Sequence, residues 1–449
     1  MAASANDPFL SVPRPPRTQM KEQPAAVGPG QQVGKYLLVK SLGKGTSGTV
    51  YRAVDTFSGR EVALKIVDPE VFQDPDFGSA RHAQFLSEAS LAGMLIHPHV
   101  VTILDAVVQK DKAHIAMELI AGGDLTQHVK PGTLLPVADV IEIGFNCCGA
   151  LDYTTRAGII HCDIKPANIM IAEGTDVRIT DFGAAVLHKT EVVRTADMGS
   201  PHYAAPERIT REELTFHSDM YSLGVVLYQL LTGHRPFVAD GIDDLVQKIV
   251  NEEPAPPSSV RPDLSPIVDR VVMRALKKKP AERYKTWAEF AFELSEVSRH
   301  VLSPDAVPEA DKLNTLKRVA ALETLSDAEL WEVARAGRWS RLKADDVVIY
   351  EDFPGSHFYF LATGSAKVIR RERLLNLINA GEFFGEMAYI LGGQQRRQAT
   401  VVATKDSLVC EFAPDALGRM TLAAQFQLMR ALARNLAERL TLANTRLTG

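Results

Sequence analysis

Cysteine is scarce in this chain. Its four residues, Cys147, Cys148, Cys162 and Cys410, lie among 449 with no paired spacing. That excludes a secreted disulfide scaffold and fits reduced thiols in a cytoplasmic protein. No run reaches the roughly 18 apolar residues that span a bilayer, the stretch from Tyr221 to Leu231 being too short. No secretory signal is apparent. Charge of one sign is also missing: 50 basic against 55 acidic residues leave a formal −5, which gives no general reason to bind nucleic acid or an anionic membrane. His97 and His99 have no further ligand partners nearby in sequence, which argues against a metal there. There is no internal repeat. The length suggests about two or three globular units. Residues 1–34, rich in Pro, Gly, Ala and Gln without a period, read as a flexible leader.

What is present concentrates between residues 159 and 183. Ile159-Ile160-His161-Cys162-Asp163-Ile164-Lys165-Pro166-Ala167-Asn168-Ile169 is followed by Asp181-Phe182-Gly183. A carboxylate, an amine, an amide and a second carboxylate at these offsets can together manage a hydroxyl nucleophile, a transferring phosphate and its Mg²⁺. Upstream, Gly43-Lys44-Gly45-Thr46-Ser47-Gly48-Thr49-Val50 fits G-x-G-x-x-G-x-V, whose glycines let backbone approach phosphates closely. A dinucleotide-binding turn would open directly into a helix. Here Thr49 to Val54 alternates, Thr56 to Arg60 reads as a turn, and Glu61 to Val67 reads as a second strand, so a hairpin is predicted. Lys65 on that strand needs a carboxylate to fix its position. Glu88 is the candidate, on an apolar-periodic segment that ends at His97-Pro98.

These parts, in this order, resemble the protein kinase family, and the lysine two residues after Asp163 resembles its Ser/Thr branch. The resemblance implies an α+β, bilobal fold over residues 35–298, with a small β-rich N-lobe and a large helical C-lobe. It implies ATP with Mg²⁺ or Mn²⁺, and transfer of phosphate to Ser and Thr hydroxyls of protein substrates. In that family's terms Asp163, Lys165, Lys65 and Glu88 are the catalytic set, and Asn168 and Asp181 hold the metal. The ATP site would comprise Gly43, Gly45, Gly48, Val50, Ala63 and Lys65, with Met117 behind the adenine. The backbone of Glu118 and Ile120 would meet the adenine edge, and Asp124 the ribose. Ser200 would line the acceptor site, Glu207 would pair with Arg283, and Asp219 would begin the helix that anchors the large lobe. One departure matters. Many kinases place Arg where this chain has Cys162, and without that cation an activation-loop phosphate has nothing to pair with there. Phosphorylation at Thr190 or Thr195 is therefore expected to be dispensable.

A second constellation follows. Gly381-Glu382-Phe383-Phe384-Gly385-Glu386-Met387-Ala388 precedes Arg396-Arg397-Gln398-Ala399-Thr400-Val401. A guanidinium can bond a singly charged cyclic phosphate through two donors, and amides at a short helix start add to the attraction. Val347 to Tyr350, Phe358 to Leu361 and Ala366 to Ile369 read as turn-punctuated short strands, preceded by a helical pattern from Leu325 to Ala336. The whole resembles the cyclic-nucleotide-binding domain family, a β-barrel or jelly roll with flanking helices. By that resemblance Gly385, Glu386, Met387, Arg397, Ala399 and Thr400 form the ligand site, with Arg397 on the phosphate and Glu386 on the ribose hydroxyl. Gln398 does not separate cyclic AMP from cyclic GMP.

Ser303-Pro304 and Pro308 mark a linker, placed at 299–313, before a unit over 314–449. At the end of the chain Leu422, Phe426, Met429, Ala433, Leu436, Leu440, Ala443 and Leu447 repeat in steps of four and three. That stripe fits either a lid on the barrel or a homodimer seam, and no DNA-reading helix pair follows it. The expectation is a cytoplasmic Ser/Thr protein kinase with cyclic nucleotide as a regulatory ligand. Two rivals are a catalytically silent ligand-gated scaffold and an active kinase whose barrel only docks or dimerises.

Overall fold

The protein is described from a computed structural model covering residues 28–45, 48–67, 95–109, 112–182, 185–187, 201–301, 307–391 and 396–448. Glu88, Gly183, Thr190, Thr195 and Ser200 lie outside the described residues. At the N-terminal end β1 (Gln32–Val33), β2 (Tyr36–Gly45), β3 (Gly48–Asp55), β4 (Glu61–Val67), β5 (Ile103–Gln109) and β6 (Lys112–Glu118) form one sheet in the order β1-β2-β3-β4-β6-β5. Its pairs are antiparallel, with Gly45 opposite Gly48 at the glycine-rich hairpin. At Gly48 φ is 150°, and a Cβ there would lie 2.1 Å from the Ile66 carbonyl oxygen. Only glycine lets the hairpin lie this close to β4.

The large lobe is helical. It contains α1 (Val137–Arg156), α2 (Pro206–Thr210), α3 (Phe216–Thr232), α4 (Ile242–Asn251), α5 (Pro257–Val260), α6 (Pro266–Ala275) and α7 (Trp287–Val301). Between α1 and α2 the described residues form the short strands β7 (Ile159–Ile160), β8 (Ile169–Glu173), β9 (Asp176–Ile179) and β10 (Val186–Leu187). Every residue of α3 from Ser218 to Thr232 is buried, as expected of a helix apolar on all sides. The Thr215 hydroxyl accepts from the His217 N–H at its start, and Gly233 at φ 77° ends it, a side-chain cap and a left-handed stop. Around it pack Cys147, Cys148, Tyr284, Trp287, Phe290 and Leu294 in a single core. All four cysteines are buried thiols.

Beyond residue 306 come α8 (Glu309–Lys317) and α9 (Asp327–Ala336). A reciprocal pair of bonds between Ser326 and Glu329 starts α9. Val307 and Leu313, within the expected linker, and Leu316 are part of the C-terminal core, so the junction is shorter than its prolines suggest. The barrel itself consists of β11 (Arg338–Leu342), β12 (Val347–Ile349), β13 (Phe358–Thr363), β14 (Ser365–Arg370), β15 (Arg373–Asn379), β16 (Phe383–Phe384), β17 (Thr400–Ala403) and β18 (Ser407–Phe412). They form two antiparallel sheets, β11-β18-β13-β16 and β12-β17-β14-β15. Phe358, Phe360, Phe383 and Phe412 fill one side of the interior.

The five-residue α10 (Glu386–Ile390) interrupts the barrel, and α11 (Leu422–Thr448) closes the described chain. The face of α11 that enters the core is Ala424, Leu428, Ala431 and Leu432. Of the predicted stripe, Leu422, Phe426 and Leu440 are exposed, while Met429 packs against that core. Among the described residues no helix is long and apolar enough to cross a membrane.

Candidate active site and ligand site

The loop after β7 is held from below by one carboxylate. Asp219, buried at the start of α3, accepts the His161 N–H at 2.7 Å on one oxygen and the Cys162 N–H at 2.8 Å on the other. Burial pushes this carboxyl up, and the two amide donors oppose that shift. Cys162 is left-handed, φ 64°, a conformation that costs a non-glycine residue about 1 kcal/mol or more unless its surroundings impose it. Asp219 is one such restraint. Arg208 of α2 is another, donating to the Cys162 carbonyl. A guanidinium thus stands beside Cys162 although the sequence places none at that position.

The carboxylate of Asp163 lies next, accepting from Lys165 Nζ at 2.7 Å and from Asn168 Nδ2 at 3.0 Å. Asn168 Nδ2 also donates to the Asp163 carbonyl at 2.8 Å. Its amide nitrogen is thereby committed, and the amide oxygen is the atom left for a cation. From β4 the buried Lys65 reaches Asp181 Oδ1 at 2.8 Å, across 116 residues of sequence. Burial works to raise the Asp181 carboxyl, yet the Lys65 ammonium outweighs it and holds the group below its ordinary value. The His161 ring ties the two halves together, its Nε2 3.0 Å from the Thr180 carbonyl and its ring 4.7 Å from that of Phe182.

Lys65, Asp163, Lys165, Asn168 and Asp181 therefore share one cleft between sheet and helices. Val50 lies opposite Lys65 on β3, and Ala63 two residues before it on β4. Asp124 sits beyond the end of β6, but its Oδ1 is engaged as the cap of the turn Leu125–His128, accepting from Thr126 N at 2.9 Å. Glu118 and Ile120 lie where β6 leaves the sheet, with the Glu118 N–H donating to the Thr102 carbonyl at 3.0 Å. Away from the cleft, Glu207 and Arg283 form a fully buried two-bond pair, 2.7 and 2.8 Å. The remaining Arg283 donors go to carbonyls of His217, Lys277 and Lys278, so the buried charges are compensated.

In the barrel a second cavity, about 180 Å³, has Ile349, Val368 and Val401 among its apolar walls and Glu386, Arg397 and Arg439 among its polar ones. Arg397 is buried and donates to the carbonyls of Gly385 at 2.8 Å and His357 at 2.7 Å. Burial pulls its guanidinium down from the usual arginine value. Two glycines make room for it. A Cβ on Gly355 would lie 2.6 Å from Arg397 Nε, and one on Gly385, at φ 75°, 2.9 Å from Ile349 Cδ1 and 3.1 Å from Arg397 Nη1. Glu386 is buried and meets Arg439 of α11 at 3.3 Å, while the same guanidinium reaches Glu382 at 3.4 Å. Met387 is exposed beside it, and Thr400 Oγ1 accepts from Glu351 N at 3.0 Å. Neither Gly355, Arg208 nor Arg439 carries a motif signal. Gly355 alone, in the Pro354-Gly355 break, could have been noticed from sequence.

A buried lysine paired to a carboxylate, a carboxylate cradled by lysine and amide, and the fold that brings them together define the class. The chain belongs to the protein kinase family: the model of the protein kinase domain matches residues 36–294, and that of the cyclic nucleotide-binding domain matches 339–423. Among similar proteins are serine/threonine-protein kinase PknB of Mycobacterium leprae, 37% identical over 63% of this chain and 45% of that protein, and a probable serine/threonine-protein kinase of Corynebacterium efficiens, 36% identical over 65% and 46%. A probable serine/threonine-protein kinase of Streptomyces coelicolor is 36% identical over 59% and 39%. The chain thus spans less than half the length of these relatives.

Proposed function

We propose that the protein is an ATP-dependent protein serine/threonine kinase of the cytoplasm, adjusted in cis by cyclic AMP or cyclic GMP bound in its barrel. The observation that carries the first part is the meeting of Lys65 and Asp181 at 2.8 Å beside Asp163. Asp163 would accept the acceptor hydroxyl's proton and orient its oxygen. Lys165, bonded to Asp163, and Lys65 would offset charge on the phosphoryl group as it passes. Asn168 and Asp181 supply the oxygen donors a hard divalent cation takes, and that cation would neutralise phosphate charge. In this reading Gly43, Gly45 and Gly48 cover the phosphates, Glu118 and Ile120 meet the adenine, and Asp124 adds to the ribose side through its second oxygen. The unit before 299 transfers phosphate and the unit after 313 senses ligand.

For the barrel, a cavity that pairs one guanidinium with one carboxylate between apolar walls suits a ring bearing one phosphate charge and a free hydroxyl. Arg397 would take the phosphate and Glu386 the hydroxyl. Incorporation of labelled phosphate into casein by the full chain, abolished in Asp163→Asn, tests the kinase; equal labelling by the variant defeats it. Calorimetry with each cyclic nucleotide on wild type and Arg397→Ala tests the barrel. The exposed Leu422, Phe426 and Leu440 support a homodimer through α11, and sedimentation of Phe426→Glu against wild type would show whether that stripe associates.

A further inference from the structure

One half-buried cation near the cleft comes from the other module. Trp331 and Arg335 lie four residues apart on α9, hence on one face. Trp331 packs edge-on to His99, ring centroids 4.9 Å apart, and 5.7 Å from Phe145 of α1. Arg335 Nη1 lies 2.8 Å from Asp176 Oδ1, and Nη2 donates to the His99 ring. His99 is fully buried, with Nδ1 3.0 Å from the Val177 carbonyl. The Arg335 guanidinium lies against this ring, its Nη2 meeting both Nδ1 and Nε2. Burial first, then the Arg335 charge, keeps this imidazole neutral.

Asp176 Oδ1 also accepts from Arg178. Arg178 Nε stands 3.8 Å from Glu118 Oε1, the oxygen that accepts the Thr102 N–H at 2.8 Å. One carboxylate thus joins a cation of the barrel module to a cation that reaches the end of β6. Asp176 and Arg178 both sit on β9, which runs directly into Thr180 and Asp181, and the Ile179 N–H donates to the His99 carbonyl at 2.8 Å. Arg335 holds both partners, the strand and the segment clipped to it.

We propose that Arg335 is a positioning residue of the ATP cleft, supplied by the barrel module: by holding Asp176 and His99 it fixes the path of β9 into Asp181 and, through Arg178, the place of Glu118. The same helix is tied to the ligand cavity. Glu332 accepts the Thr421 N–H at 2.6 Å at the start of α11, whose Arg439 engages Glu386. A ribose hydroxyl would compete with Arg439 for that carboxylate, so ligand in the barrel bears on α11, α9 and Arg335 in turn. This coupling rests on the cyclic-nucleotide reading of the barrel. The role of Arg335 at the ATP cleft does not.

The test uses the full chain as wild type, Arg335→Met, which keeps length and loses charge, and Arg335→Lys. Calorimetry with a non-hydrolysable ATP analogue and Mg²⁺ is expected to show affinity weakened about fivefold or more in Arg335→Met and largely recovered in Arg335→Lys. Amide exchange over 176–182 and 118–123 is expected to quicken in Arg335→Met alone. Unchanged affinity and exchange overturn the proposal, and so does equal loss in both variants, which marks a contact of packing only. In a second arm, cyclic AMP and cyclic GMP are titrated with and without saturating ATP analogue. Linkage is reciprocal, so wild type should show a shift of about threefold or more that vanishes in Arg335→Met; a shift that persists there overturns the coupling. If neither nucleotide binds wild type, the reading of the barrel fails while the ATP arm still decides the role of Arg335.

Discussion

Asp219 shows how much a single side chain can organise. Its two oxygens hold consecutive amides, and one of these belongs to the left-handed Cys162 next to Asp163. Asp219→Asn replaces one acceptor by a donor facing an N–H, and a buried amide left without its acceptor costs about 1–3 kcal/mol. The catalytic loop should shift, and a displacement of order 1 Å can cost about 10²-fold in turnover. Steady-state assays should therefore find kcat down by roughly that factor with the affinity for ATP analogue nearly unchanged, because Lys65 and the hairpin are untouched. Arg283→Met leaves Glu207 buried and uncompensated, which is expected to cost about 3–5 kcal/mol, read as a lowered urea midpoint of the kinase unit.

Among the elements, the turn that brings Gly355 against Arg397 sets a tight limit. Gly355→Ala puts a methyl 2.6 Å from Arg397 Nε, and the guanidinium must move away from the His357 and Gly385 carbonyls. Calorimetry should find cyclic-nucleotide affinity reduced about tenfold or more, with Asp163-dependent phosphorylation in the absence of ligand unchanged. The hairpin and the apolar helix of Asp219 were legible from the residues, because turn signals and apolar runs are local, whereas the pairing of Glu207 with Arg283, 76 residues apart, was legible only through the resemblance to the kinase family. The α11 stripe was legible only as a helix. Its apolar residues lie on more than one face, and only three-dimensional packing decides that Ala424, Leu428 and Leu432 enter the core while Leu422 and Phe426 stay exposed. Arg335, Arg208 and Arg439 were not legible at all. An arginine on an amphipathic helix has the same local pattern whether it faces water or a carboxylate some 160 residues away, as the separation of Asp176 and Arg335 shows.

At the scale of the whole molecule the junction of the two modules is itself titratable. Glu142 of α1 is pushed up to about 6, first by burial and then by Glu309 of α8, while Lys312 and the Thr175 hydroxyl pull the other way. Its ordinary value is 4.5, so between about 4.5 and 6 the folded protein binds more protons here than the unfolded chain. Stability falls as pH rises through that window, and the penalty is fully present above it. Urea midpoints measured from pH 4.5 to 7 should decline on this account, and Glu142→Gln should flatten that part of the profile; an identical slope in the variant would remove Glu142 as its source.

The surface that receives α9 includes His99, Phe145 and Asp176, whereas Asp163 and Tyr203 make their contacts within the large lobe. On the function proposed above, a cyclic-nucleotide messenger at Arg397 and a client protein at Asp163 would occupy separate sites. Raising the client's concentration should not wash out the messenger's effect, and velocity curves taken at several messenger levels should differ in their plateau even where the client is saturating.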